Sequence, residues 1–248
     1  MTDKIDLSGR VAVVTGASRG IGYATALALA KAGAHVIAVA RTVGGLEELD
    51  DAIQQAGGSA TLAPFDIKDF TAIDRLGAAI HERWGKLDIL IGNAGILGPI
   101  SPLGHVDIKA FDDVMAVNVT ANWRLIRSFD PLLQASDAGR AVFVSSGAAH
   151  KTLAFWGPYS TSKAALQALV MTYAAETLNT KVRTTLVNPG PLRTIMRAEA
   201  MPGEDPLSLR TPEDLVPHIL ALASPQSTQH GVIFDFPTGK IVRAQAPA

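Results

Sequence analysis

The sequence predicts an α/β protein, a doubly wound, seven-stranded parallel sheet with helices on both faces. Three observations predict it. Short apolar, β-branched runs alternate with longer stretches of helical spacing, the pattern of successive βαβ units. Runs such as Ala141-Val142-Phe143-Val144 are apolar at every position, which suits a strand covered on both sides. A glycine-rich turn, Thr15-Gly16-Ala17-Ser18-Arg19-Gly20-Ile21-Gly22, joins the first apolar run to the first helical stretch.

Taken in order, residues 11–15 (Val-Ala-Val-Val-Thr) are the first expected strand, and 21–32 the helix that follows the glycine turn. His35-Val36-Ile37-Ala38-Val39-Ala40 is a second strand ending on Arg41, with a helix over 46–55. A third strand over 60–63 leads through Pro64-Phe65 to Asp66, before a helix over 71–84. The fourth, 87–91, ends ahead of Asn93-Ala94-Gly95, and the longest helical stretch covers 111–134. Strand 141–145 closes on Ser146, and helix 159–178 follows. Strand 183–187 ends on Asn188-Pro189-Gly190, after which 192–210, holding Pro202, Gly203 and Pro206, reads as an irregular connection. A connection that long, leaving from the edge where a ligand would sit, is expected to be a lid over about 191–210. Helix 212–223 and strand 231–234 complete the pattern, leaving a short polar tail. In such sheets a ligand binds beyond the strand C-termini, where the strand order reverses. Gly16, Arg41, Asp66, Asn93, Ser146 and Asn188 all fall at or just after strand ends, so they are expected along one edge.

Bulk properties narrow the function. The 248 residues, 48% hydrophobic and 18% charged, suit a single domain spanning 1–248 with a large core. A formal charge of −1, with no basic or acidic block, argues against nucleic acid or an anionic membrane as partner. The absence of cysteine excludes disulfides, thiolate metal sites and a cysteine nucleophile. His35, His81, His105, His150, His218 and His230 show no paired ligand spacing, so no metal is expected. Residues 1–6 lack a signal-peptide apolar region, and no apolar run reaches the ~20 residues that span a bilayer. The expected location is the cytoplasm.

The chemistry begins with Tyr159 and Lys163, four residues apart and therefore on one face of a helix. A phenol of pKa ~10 exchanges protons poorly at neutral pH, and a nearby cation favours its phenolate. The glycine turn lets backbone approach a pyrophosphate, which the helix N-terminus then attracts. Its spacing is Gly-x3-Gly-x-Gly, distinct from the common dinucleotide fingerprint Gly-x-Gly-x2-Gly.

From about Leu7 to Gly231 the chain resembles the short-chain dehydrogenase/reductase family in its single-domain form, and looks like a bacterial branch of it. The resemblance is carried by Thr15 to Gly22, Asp66, Asn93-Ala94-Gly95, Asn118, Ser146, Tyr159, Lys163 and Asn188-Pro189-Gly190, in the family's order. It implies a Rossmann-like fold and an enzyme that interconverts a carbonyl and a secondary alcohol. Tyr159 would be the general acid/base, and Lys163 would lower its pKa and bind the nicotinamide ribose. Ser146 would hydrogen-bond the substrate oxygen, and Asn118 would sit where a long helix bends near a relay water. The resemblance also assigns Gly16, Ser18, Arg19, Gly20, Ile21 and Gly22 to the cofactor. Asp66 with Ile67 would contact adenine, Asn93, Ala94 and Gly95 would support the adenosine side, and Pro189, Gly190, Leu192 and Thr194 would border the nicotinamide. NAD-preferring relatives carry a carboxylate after the second strand; this chain has Arg41 there and Arg19 in the turn, which favours NADP(H), with NAD(H) as the alternative.

Two other readings stand beside this one: an NAD-linked alcohol dehydrogenase, and a non-catalytic nucleotide-binding regulatory protein of the same fold. The second usually lacks part of the Asn-Ser-Tyr-Lys set, which here is whole. Phe155, Trp156 and Pro158 are expected to wall the substrate mouth beside His150. Leu192, Ile195, Met196 and Met201 would close it from the lid, with Arg193 and Arg197 solvated or meeting an anionic group. A homodimer or homotetramer is implied through helices 111–134 and 159–178, where Leu166, Leu169, Val170 and Tyr173 face either a second subunit or the sheet. The chain departs from the family's Val-Asp-Gly-Gly ending, reading Phe234-Asp235-Phe236-Pro237-Thr238-Gly239-Lys240 instead.

Overall fold

Strand β1 (Val11–Thr15) lies at the centre of the molecule, buried at every position. Its side chains alternate between two cores: Ala12 and Val14 enter one, Val11 and Val13 the other. The structure, a computed structural model, describes residues 5–151 and 153–243. From β1 the chain passes through α1 (Gly20–Lys31) to β2 (His35–Ala40), then through α2 (Val43–Gln55) to β3 (Ser59–Pro64). It returns by α3 (Phe70–Trp84) to β4 (Ile89–Gly92) on the other flank of β1. The succession then runs outward through α4 (Ile108–Met115), α5 (Ala121–Ala135), β5 (Arg140–Val144), α6 (Gly157–Glu176), β6 (Arg183–Asn188), α7 (Ile195–Ala200), α8 (Pro212–Ala223) and β7 (Val232–Asp235).

The sheet order is β3-β2-β1-β4-β5-β6-β7, closed by an eighth strand, β8 (Lys240–Val242). β1 to β7 pair in parallel, so their C-terminal ends share one edge, and the order reverses between β1 and β4. Helices α1, α2 and α8 cover one face through Leu29, Leu49 and Ile219; α3, α5 and α6 cover the other through Ile73, Phe129 and Val170. No helix among the described residues is long and apolar enough to cross a membrane.

Three expectations need correction, and one open alternative is decided. The sheet has eight strands rather than seven, because the segment read as a polar tail turns back antiparallel to β7. Gly239, with φ of 68°, and the Thr238 hydroxyl bonded to Asp235 make that turn, and no buried side chain in Lys240–Val242 advertises a strand. The helix expected over 111–134 is interrupted by a π-helical segment, Ala116–Thr120, between α4 and α5. The irregular connection 192–210 contains α7, capped at its N-terminus by the Thr194 hydroxyl, which accepts from the Arg197 amide. Finally, Leu166, Val170 and Tyr173 are at most 4% exposed and pack against the sheet, leaving no outward apolar stripe at those positions.

Candidate active site

Ser146 caps the end of β5, where its hydroxyl accepts from the Ala148 amide and starts a short 3-10 turn. Helix α6 begins eleven residues after Ser146 with Gly157-Pro158, and proline in a first turn loses no intrahelical bond. The next residue is Tyr159, 8% exposed, with Lys163 one turn on at 4%. The Lys163 Nζ donates to the Val144 carbonyl at 2.9 Å and stands 5.6 Å from the centre of the Tyr159 ring. Burial pulls this ammonium down to about 8, so at neutral pH it is still mostly charged. Burial also pushes the Tyr159 phenol above its ordinary value, and the Ser146 hydroxyl beside it offsets only part of that. The direction is opposite to the one expected from the Tyr-Lys spacing, because desolvation of the phenol is the larger effect.

Asn118 lies in the π-helical segment, and all its side-chain polar atoms are engaged. Its Oδ1 accepts from the Ile96 amide, and its Nδ2 donates to the Ile96 carbonyl and to the Ser162 hydroxyl, each at 2.9 Å. Ser162 donates onward to the Tyr159 carbonyl at 2.8 Å, so the π-helical segment fixes the first turn of α6. The Asn118 carbonyl accepts from the Asn122 side chain. A Cβ placed on Gly95 would stand 3.2 Å from Asn118 Oδ1 and 3.6 Å from Lys163 Nζ, which locates both residues behind that glycine.

Gly95 also lines a groove of about 430 Å³ along the strand C-terminal edge. The groove takes in Gly16, Ser18, Arg19, Gly20 and Ile21 from the glycine turn, Arg41 after β2, Asp66 and Ile67 after β3, Asn93, Ala94 and Gly95 after β4, and Thr194. Gly22 lies beneath it: a Cβ there would fall 2.2 Å from the Gly16 carbonyl, so only glycine lets α1 start against the turn. Asn93 stitches β4 to β1, its amide donating to the Thr15 hydroxyl and its side chain to the Thr15 carbonyl. Pro189, Gly190 and Leu192 fall outside the lining. Pro189 is buried and Leu192 is 3% exposed, bridged to Arg210 at the base of the α7 excursion. Arg41 stands 3.6 Å from the Asp66 carboxylate, a partner the sequence reading did not give it. The site therefore suits a dinucleotide, with a glycine cradle at a helix start and the guanidiniums of Arg19, Arg41 and Arg193 in the groove lining.

Sequence reasoning missed several supports. Gln167 continues the row of Tyr159 and Lys163 at the next turn and donates to the Ser145 hydroxyl, with both residues buried. Extending the four-residue spacing once more would have found it. Nothing local marks Arg210, whose guanidinium lies 3.7 Å above the Phe236 ring, or His218, stacked on Phe234.

The family model described as short chain dehydrogenase matches residues 10–205. An oxidoreductase of Escherichia coli K12, YciK, is 36% identical over 238 residues, covering 94% of either chain. A solved short chain dehydrogenase structure from Pseudomonas syringae is 39% identical with a TM-score of 0.91, covering 95% of this chain and 97% of that one. Another, from Escherichia coli CFT073 in complex with NADPH, is 36% identical with a TM-score of 0.90, covering 94% and 98%.

Proposed function

The chain belongs to the short chain dehydrogenase family, and on that premise we propose that it interconverts a carbonyl and a secondary alcohol by NADP(H)-dependent hydride transfer, with Tyr159 as general acid/base. One observation carries the reading: the Tyr159 phenol is buried beside Ser146, with Lys163 and Asn118 behind the Gly95 wall of the dinucleotide groove. A bound nicotinamide supplies or accepts the hydride. The side chains do the rest.

In the reducing direction Tyr159 gives its phenolic proton to the substrate oxygen as negative charge develops there. A phenol raised by burial stays protonated at neutral pH, so it enters this step as an acid. Ser146 donates to the same oxygen, a contact that is strongest when that oxygen is most negative. Lys163 keeps a positive charge next to the phenol and stabilises the phenolate left behind. Asn118 holds Tyr159 in place through Ser162. For the oxidising direction the same groups act in reverse.

The choice of NADP(H) rests on Arg19 and Arg41 at the groove and is supported by the NADPH-bound relative. The Asp66 carboxylate near Arg41 favours NAD(H) as the second reading, although the pair is exposed and weak. Exposed Ile108 and Trp123 on α4 and α5 support a homodimer or homotetramer. The test follows NADPH absorbance with a panel of ketones, aldehydes and 3-oxoacyl thioesters. Tyr159→Phe is expected to bind NADPH as the parent does and to lose roughly 10²–10⁴-fold in turnover. Turnover within threefold of the parent would remove Tyr159 from this role.

A further inference from the structure

We propose that the substrate is a neutral carbonyl compound bearing an extended apolar chain, received by an apolar mouth that three segments build around Tyr159; the proposal rests on the oxidoreductase reading above. The inner wall is Leu97, Ala148 and Tyr159, with Trp156, Met196 and Ala200 packed against them. Trp156 meets the Tyr159 ring edge-on at 5.9 Å, and Met196 and Ala200 come from one face of α7.

Outward from this wall the apolar character continues. The loop after β4 and the loop before α6 are tied by the Ser101 amide donating to the Phe155 carbonyl at 3.0 Å. Leu103 leans on the start of α6, where a Cβ on Gly157 would meet its Cδ1 at 2.5 Å. Leu103 is nevertheless 64% exposed, Phe155 54% and Ile195, on α7, 54%. Scattered exposed leucines need no explanation, but a set on all three segments around one phenol does.

Phe155 sharpens the point. It holds a φ of 72°, the one positive-φ residue other than glycine among those described. A bulky side chain in that conformation is strained, and an exposed ring recovers little of that strain by packing. Folding alone would favour glycine or asparagine there. Strain that keeps an aromatic ring at the mouth is understandable if a ligand covers it.

Charge points the same way. Arg197 is bound through two nitrogens to Glu204, Arg193 donates to the Pro206 and Leu209 carbonyls while lining the dinucleotide groove, and Arg210 lies over the Phe236 ring, so each of the three lid guanidiniums is already engaged. Lys151, just after the 3-10 turn that follows Ser146, faces the Asp235 carboxylate. An acidic chain would find no free guanidinium on the lid, whereas methylenes would find Leu103, Phe155 and Ile195.

The experiment measures kcat/KM with NADPH for 2-alkanones from 2-butanone to 2-decanone, beside 2-oxo acids and hydroxyketones of equal length. The expected result is a rise of about two- to fourfold per methylene, the range for burying a CH₂ in part or in full. Phe155→Asn, which suits the left-handed backbone but removes the ring, should lower the decanone-to-butanone ratio about tenfold without weakening the fold. Binding of 1-octanol, followed by tryptophan fluorescence without turnover, should weaken in the same variant. A flat series, or faster turnover of the acids or hydroxyketones, overturns the proposal and leaves the oxidoreductase reading standing. If Phe155→Asn dissociates an oligomer and leaves the ratio untouched, the ring belongs to a subunit interface and the proposal falls. NADPH consumption with none of these compounds, nor with the wider carbonyl panel, takes both readings down.

Discussion

The Lys163 ammonium is 4% exposed, with a carbonyl as its hydrogen-bond acceptor, and burial brings its pKa to about 8 from an ordinary 10.5. The sign of the linkage follows. Below pH 8 both folded and unfolded states carry the proton, and the folded state bears the whole cost of burying the charge. Between 8 and 10.5 the unfolded state holds more protons, so stability attributable to this residue rises with pH. Comparing parent with Lys163→Met by urea unfolding, the parent is expected to gain up to about 3 kcal/mol on the variant between pH 7 and pH 10.5. A difference independent of pH would mean that the ammonium is solvated. At the other end of the groove, Arg41→Asp should shift the NADP/NAD ratio of kcat/KM towards NAD by at least tenfold, since it exchanges a phosphate partner for a group that repels phosphate and accepts from ribose. A parent ratio below unity that the variant leaves unchanged would transfer the assignment to NAD(H).

Among the elements, the excursion from β6 to α8 is organised from its own base. Leu192 and Arg210 form an isolated bridge, the Arg193 amide donates to the Arg210 carbonyl, and Arg210 stacks on Phe236 in the turn between β7 and β8. The unusual C-terminal segment thus anchors the excursion whose Met196 and Ala200 pack against the cluster of Leu97, Ala148 and Tyr159. His218 of α8 packs against the same aromatics, stacked on Phe234 and tilted on Phe236. Phe236→Leu keeps apolar volume but removes the ring beneath the guanidinium, a contact worth about 0.5–2 kcal/mol. Trypsin should then cut faster at Arg193 and Arg197, while the urea midpoint of the whole protein moves little. Unchanged cleavage would show that the base of the excursion is held elsewhere. The π-helical segment at Ala116–Thr120 works similarly at short range, turning Asn118 onto Ile96 and Ser162.

At the scale of the whole molecule, the edge opposite the site carries the strongest polar fastening. Asp88, immediately before β4, is fully buried and accepts from the Val11 amide, the Ser136 hydroxyl, Arg10 and Lys86. Burial alone would raise its pKa, but these donors outweigh it and hold the carboxyl below 3.8. Its contribution is therefore present above that pH and is lost as pH falls through the lower folded value. Asp88→Asn should cost about 2–3 kcal/mol in urea unfolding, as expected for a hydrogen-bonded buried charge, and leave kcat unchanged. Loss of activity at full stability would contradict a purely structural role.

Much of this was legible in the chain itself. Apolar runs of four to six residues are local signals, and the seven parallel strands appear where those runs lie. The glycine spacing and the four-residue interval between Tyr159 and Lys163 are local too, and they determined that a phenol and an ammonium would share a helix face and that the first strand would enter its helix through a tight glycine turn. The tertiary structure decided what non-local energy controls. It set the direction of the phenol's pKa, which depends on what surrounds the ring rather than on what lies four residues away. It turned Leu166 and Val170 inward, paired Arg41 with Asp66, and folded back a last strand whose own three side chains are exposed. Periodicity reports which face of an element is apolar; desolvation and partner choice arise only when distant segments meet.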